Sequence, residues 1–274
     1  LIKMNDDLRN LQLHDLKMME MLNIFFQEKK LNYFMIGGTL LGAIRGKGFI
    51  PWDDDMDIAM PRKDFEELVH NYAEMLPEHY HMLHFSKDIS FKYTIVQIVD
   101  DRVKVREKKF GKVDKGYSFA AIDILPIDGV PNNKIWRQIY YLRYLFKRML
   151  LSFYYSDAID MDKPRKVYEK IMIGIAKFFP FKKLINPTWI KINIDRQLKK
   201  YNLSNSKMSG TICGAYRTKE IVDSNFWKQS SNYLFEGDYF KGPKNYDAYL
   251  QLIYGDYMKI PERGKRQTHY EILK

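Results

Sequence analysis

Apolar and polar positions alternate along this chain with two periods, one helical and one extended. Between residues 6 and 30, Leu11, Met18, Leu22 and Phe25 recur at helical spacing. Lys29-Lys30 suits the last turn, where positive charge meets the helix dipole. This stretch predicts a packing helix with no functional role. The apolar run Tyr33 to Ile36 predicts a short strand ended by Gly37-Gly38-Thr39, then a short helix over Leu40 to Arg45 and a loop opened by Gly46 and Gly48. Asp55-Met56-Asp57-Ile58-Ala59-Met60 alternates with period two and predicts a strand. Pro61 begins a helix with Asp64, Glu66 and Glu67 early, a buried face of Phe65, Leu68, Val69, Tyr72 and Leu76, and a stop at Pro77. Residues 91 to 108 predict a hairpin, with Ile95, Val96, Ile98 and Val99 on one arm, a turn at Asp100-Asp101, and Val103 and Val105 on the return. Residues 110 to 117 read as a mobile basic loop. Ala121 to Leu125 is an apolar strand interrupted by Asp123, and Asp128 shapes the turn before Gly129.

From Asn132 to about Asn205 the pattern is helical, basic and aromatic. Beyond it, Tyr216-Arg217 and Tyr233 to Phe240 read as strand-like. Pro243-Lys244-Asn245 introduces a helix that turns Tyr246, Tyr249, Leu250, Ile253 and Tyr254 inward and ends at Gly255. The fold class is α+β, a mixed sheet with flanking helices and a helical insert. The expected organisation is a first part of the core over 1–131, the insert over 132–205 and a second part of the core over 206–274.

Composition sharpens this in a few places. With 46% apolar and 29% charged residues in 274, the chain has the means to bury a sizeable core and is not a disordered polymer. The net charge of +11 is confined to one region: Asn132 to Lys200 holds sixteen Lys and Arg against five Asp and Glu, and the remainder is balanced. Basic helices rich in rings suit an anionic membrane surface. Packing helices with snorkelling cations are the other reading. No nucleic-acid motif accompanies the charge. Cys213 is alone, which excludes a disulfide framework and a cysteine-based zinc site. No apolar run reaches eighteen residues and the first ten lack a secretory apolar segment, so the expectation is no spanning helix and no signal peptide.

The candidate chemistry lies between Met35 and Pro61. Gly37 and Gly38 bring bare N–H groups where a phosphate can approach. On a strand, Asp55 and Asp57 share a face, while Met56 and Ile58 enter the core. Two carboxylates that close repel unless a cation lies between them, and hard oxygen ligands point to Mg²⁺ or Mn²⁺. Asp53 and Asp54 are explained by a solvated turn. His79, His81 and His84 either form a zinc cluster or sit unremarkably near a strand or loop; without Cys or a helical His pair the second reading stands.

Gly37-Gly38-Thr39 followed by an aspartate pair on an apolar strand resembles the nucleotidyltransferase superfamily. The longer string GGTLLGAIRGKGFIPWDDDMDI resembles the LicD family, phosphocholine transferases of bacterial cell-surface glycans distantly related to fukutin. The string around Asp123, IDI-x-P-x-D, and the close Tyr254-Gly255-Asp256-Tyr257-Met258 with Arg263, Lys265, Arg266 and His269 are similar to that family as well. The resemblance implies a nucleotidyltransferase-like core with Asp123 as third acid of a metal site, the alternative being an Asp bonded to amides or an Arg. It implies Gly37, Gly38 and Thr39 as phosphate donors and Arg45 against the leaving CMP. The implied donor is CDP-choline and the implied acceptor a sugar hydroxyl on a lipid-linked teichoic-acid or capsule precursor. Work of that kind belongs at the inner face of a bacterial plasma membrane, with the protein cytoplasmic and peripheral. A choline head wants an aromatic cage, with Trp52 and the C-terminal tyrosines as candidates. Transfer of another alcohol phosphate or a nucleotidyl group, and a scaffold without turnover, are the other readings.

Overall fold

The structure is a computed structural model that describes residues 6–109, 112–113, 117–155, 174, 181–262, 264, 266, 268 and 270–272. Helix α1 (Asp6–Glu28) has Asp6 and Asp7 in its first turn, where the dipole favours them, and buries Leu11, Met18, Met19, Leu22 and Phe26. Strand β1 (Phe34–Met35) leads into α2 (Gly37–Gly46). The two glycines therefore lie in the first turn of this helix, not in a loop before it. Strand β2 (Met56–Pro61) follows as the pattern predicts, but the helix expected from Pro61 to Pro77 is α-helical only over α3 (Arg62–Glu67) and continues as a π turn over Leu68–Tyr72 and a 3-10 turn over Ala73–Met75, with Phe65, Leu68 and Val69 buried.

β3 (Tyr80–Leu83) pairs with β4 (Val96–Lys109), which is one long strand and not the expected hairpin. The acids read as its turn instead mark a bulge, where the pairing with β6 shifts register between Asp100 and Lys104. Asp100 is fully buried; the Arg102 guanidinium donates to both its oxygens at 2.8 and 2.5 Å, and His14 lies 3.1 Å away. With its charge met by neighbours, the strand continues through the acid. Most of the expected loop at 110–117 lies outside the described residues; β5 (Lys112–Val113) folds back on the end of β4.

β6 (Ser118–Gly129) is the central strand, parallel to β2 on one side and antiparallel to β4 on the other. α4 (Lys134–Tyr154) and α5 (Pro187–Leu198) pair through Tyr140, Tyr144, Ile190, Ile194 and Leu198, a small second core that meets Val130 and Ile212. β7 (Met208–Gly210) extends the sheet beyond β6 and β8 (Val222–Asp223) pairs with it. Tyr216-Arg217 is not a strand; a 3-10 turn over Arg217–Glu220 occupies that place. The Tyr233 to Phe240 region forms the hairpin of β9 (Ser230–Phe235) and β10 (Asp238–Pro243). α6 (Tyr246–Tyr254) buries Tyr249, Leu250 and Ile253, and β11 (Tyr270–Ile272) closes the sheet on β4. The result is α+β, with sheet order β1-β2-β6-β4-β11.

Asp128, expected at a turn, is buried within β6 and takes two bonds from the Arg62 guanidinium at 2.7 and 2.6 Å. Arg62 also meets Glu66 and Asp195, and Lys199 meets Glu66 and Asp195, so one ion network ties α3 and β6 to α5. Among the basic residues of the insert, Lys191 is fully buried on the carbonyls of Ile89 and Phe91, and Lys147 bonds Asn193 O and Gln197. These cations serve packing.

Candidate functional site

Parallel pairing of β2 and β6 sets the site. The register aligns Asp57 with Asp123, so the two side chains leave neighbouring strands on one face. On the other side of Asp123, β4 aligns Gln97, whose Nε2 donates to Asp123 Oδ1 at 2.7 Å. Asp55 stands one residue before β2 with the parity of Asp57. Met56 and Ile58 point the other way into the core, as the alternation requires. Burial raises the Asp57 carboxyl far above the usual range, and Asp55, Asp123 and Asp53 add to this. Burial also pushes Asp123 up to about 7; Gln97 opposes this and Asp55 reinforces it. The three acids therefore share one electrostatic environment.

The preceding loop brings in two residues that sequence reasoning set aside as turn formers. The carboxylates of Asp53, Asp54 and Asp55 offer oxygens within 4.8 Å of one another. Asp54 is buried and accepts from the Tyr270 N–H of β11. Gln12 of α1 pins this loop by donating to Asp53 O at 2.8 Å and Ile50 O at 3.4 Å. One turn further along, Asp15 of α1 is buried too. Burial and the charges of Asp55 and Asp54 hold its carboxyl well above the usual range.

At the start of α2 the expected donors are partly engaged. The Gly37 N–H donates to Tyr249 Oη at 3.3 Å, and Thr39 Oγ1 accepts from the Asp57 N–H at 2.8 Å, tying α2 to β2 beside the acids. The Asp53 carboxylate lies against Gly38, where a Cβ would collide with it. Its position follows from the dipole, since negative charge favours a helix N-terminus. Arg45 is at the other end of α2, roughly 12 Å along the axis from Gly37 at 1.5 Å per residue. It donates to Tyr257 O at 3.2 Å and its guanidinium stands 5.9 Å from the Trp52 ring. Arg266 stands closer over that ring, at 4.6 Å, so Trp52 already faces a cation. Tyr216 and Tyr254 also stand near the acids; their hydroxyls bond each other at 3.0 Å and their titration responds to Asp53 and Asp57. Tyr249 also donates to buried Glu220 at 3.0 Å. Arg263, Lys265 and His269 of the C-terminal segment lie outside the described residues.

The histidines carry no site. His79 and His81 contact the two oxygens of Asp101 at 3.2 and 2.9 Å, while His84 is buried against Phe65 and Phe85.

Comparison with known proteins fits this geometry. Residues 30–147 match the family described as LicD/FKTN/FKRP, nucleotidyltransferase domain, a stretch that carries α2, the acidic loop, β2, β4 and β6. The lipopolysaccharide cholinephosphotransferase LicD of Haemophilus influenzae is 30% identical over 272 residues, covering 96% of each chain. An uncharacterised protein of Rickettsia typhi is 35% identical over 51 residues, 18% of this chain and 16% of its own. Another, from Rickettsia prowazekii, is 46% identical over 37 residues, 14% of each. A relative matched along nearly the whole length, together with a family match over the segment that builds the acidic face, makes the chain a member of the LicD family and a transferase.

Proposed function

We propose that this protein transfers phosphocholine from CDP-choline to a hydroxyl of a lipid-linked surface glycan, releasing CMP, with Mg²⁺ or Mn²⁺ held by Asp55, Asp57 and Asp123. The observation that carries the reading is the alignment of Asp57 with Asp123 across two parallel strands, with Asp55 raising the carboxyl pKa of both. The donor set fits such an ion: every side-chain ligand is an oxygen, and crowded carboxylates are relieved by a hard cation. When bound, the ion neutralises the diphosphate and steadies the entering and leaving oxygens.

The chain's own residues supply the rest. The acceptor oxygen forms a bond to the choline-bearing phosphorus as the bond to CMP breaks. Asp123 takes the hydroxyl proton on the oxygen that Gln97 does not hold. Asp53, which lies against Gly38, would be a further oxygen donor to the ion, and the first turn of α2, with Gly37, Gly38 and Thr39, would receive phosphate. Arg45, beside Trp52, meets the charge of the departing CMP. Tyr216 and Tyr254 form the aromatic wall for the choline ammonium. The activity named for the Haemophilus relative supports phosphocholine as the group moved and a lipopolysaccharide as acceptor. Teichoic-acid and capsule precursors offer the same hydroxyl chemistry.

The insert faces the membrane in this account. Ile135, Trp136, Ile139, Leu142 and Phe146 of α4, and Trp189 and Ile192 of α5, are each 40–70% exposed. No helix among the described residues is long and apolar enough to cross a membrane. Rings at headgroup depth, with each Lys or Arg adding about 1 kcal/mol at an anionic surface, hold the enzyme where a lipid-linked acceptor resides.

Incubation with Mg²⁺, acceptor and a panel of CDP-alcohols tests the donor. CMP release from CDP-choline above all others is expected. Release from another CDP-alcohol alone reassigns the group transferred, and diphosphate from a nucleoside triphosphate indicates nucleotidyl transfer instead.

A further inference from the structure

α1 delivers an acid to the catalytic face that the proposed reaction does not use. Asp15 occupies the buried stripe of the helix between Leu11 and Met18 and is 1% exposed. Its Oδ1 has no hydrogen-bond partner among the described residues. It borders a partly open cavity of about 50 Å³ whose walls also carry Asp54, Asp55, Gln97 and Asp123. A water needs about 10–15 Å³ by this measure, so the cavity accepts a cation with a few waters.

Two other buried carboxylates of the core have a cationic partner, whereas buried Glu220 accepts from the Tyr249 hydroxyl at 3.0 Å. Asp128 is met by Arg62 and Asp100 by Arg102, each through two guanidinium bonds. No ion pair to Asp15 is found among the described residues, and the charges that act on it are those of Asp55 and Asp54. A buried acid facing acids, across a space large enough for an ion, calls for a positive partner.

We infer that Asp15, Asp54 and Asp55 form a divalent-cation site at the base of the catalytic face, adjoining the site at Asp55, Asp57 and Asp123 and sharing Asp55 with it. The oxygen donors again suit Mg²⁺ or Mn²⁺. Gln12, one turn before Asp15, holds the acidic loop through Asp53 O, so α1 both supplies an acid to this site and fixes the loop that carries the others. The helix that the sequence marks as packing thus becomes part of the binding apparatus.

This inference rests on the proposed metal-dependent reading, and the two fail differently. The full chain is titrated with Mn²⁺ and bound ion is counted by electron paramagnetic resonance for wild type, Asp15→Asn and Asp123→Asn, with thermal melting alongside. Two Mn²⁺ per wild-type chain are expected, and Asp15→Asn loses one of them or binds it at least tenfold more weakly. Asp123→Asn disturbs the other ion. Without metal, Asp15→Asn melts at or above the wild-type temperature, because a neutral amide replaces an unpartnered acid, and its rise in melting temperature on adding Mn²⁺ is reduced. One Mn²⁺ per wild-type chain overturns the inference whether or not the variant folds. Equal binding by wild type and Asp15→Asn overturns it too, and both results leave the Asp55–Asp57–Asp123 site standing. A wild type that takes up no Mn²⁺ overturns both.

Discussion

His84 is an ionisable ring enclosed by Phe65 and Phe85, with Ser86 on its Nδ1 at 2.7 Å. Burial lowers it to about 4; Glu66 opposes this, and Lys199 and Arg62 push the same way as burial. The folded chain therefore binds fewer protons than the unfolded chain between about pH 4 and the ordinary value of 6.5. The stability this provides is intact above pH 6.5 and is lost as pH falls toward 4, about 3 kcal/mol for the full shift at 1.36 kcal/mol per unit. Melting of wild type should fall across that window, and melting of His84→Gln should fall less. Parallel curves would show that His84 does not titrate there. The same scale shows what the sequence displayed and what it hid. Asp55, Asp57 and Asp123 stand out because acids interrupt apolar strands. Asp15 falls at a position where the 11–18–22 spacing of α1 demands an apolar residue, so the signal was present as a gap in the stripe. What could not be read was the partner: Asp128 and Asp100 also interrupt apolar segments, and only the packed structure gives them Arg62 and Arg102.

Helix α2 depends on a close approach to its own return loop. A Cβ on Gly42 would collide with the Gly48 carbonyl, and neighbouring backbone leaves it no room. Gly42→Ala should cost about 1–3 kcal/mol by overpacking and displace the loop that leads to the acids. Thermal melting and activity should fall together; a fall in melting alone would separate the loop from the site. The Arg62 network gives a second prediction for elements. Arg62→Met strands the buried Asp128 and should cost about 3–5 kcal/mol, while Arg62→Met with Asp128→Asn should recover a good part of it. Additive losses in that cycle would mean that the two side chains do not depend on each other. Helices α1 and α6 and strands β1, β2 and β6 were legible because period is local. The continuity of β4 was not, because an Asp-Asp pair favours a turn locally and extends here with Arg102 and the distant His14 both placed on buried Asp100. The 3-10 turn over Arg217–Glu220 was missed for a similar reason: Tyr216 and Glu220 serve the cluster around α6 rather than a ladder.

At the scale of the whole molecule, the described helices of the insert set apolar side chains such as Trp136, Phe146 and Trp189 outward while the ion network at Arg62 anchors α5 to the sheet. Binding to vesicles with anionic lipid should be measurable by sedimentation, weaken with salt, and drop several-fold in Trp136→Glu with Phe146→Glu, with transfer to a soluble acceptor unchanged. Binding that is indifferent to these substitutions would remove the membrane role from this face. Charge asymmetry made the insert conspicuous in the sequence, but its division of labour needed coordinates: Lys147 and Lys191 are spent on carbonyls, while the rings of Trp136 and Trp189 remain outside. The account as a whole depends on a divalent cation among strand-borne carboxylates. Its most direct test is CMP release from CDP-choline, with acceptor, by wild type and Asp55→Asn in Mg²⁺ and again under chelation. Wild-type release should require the cation and fall on the order of 10²-fold or more in the variant. Undiminished release under chelation, or near-normal turnover by Asp55→Asn, would contradict the account.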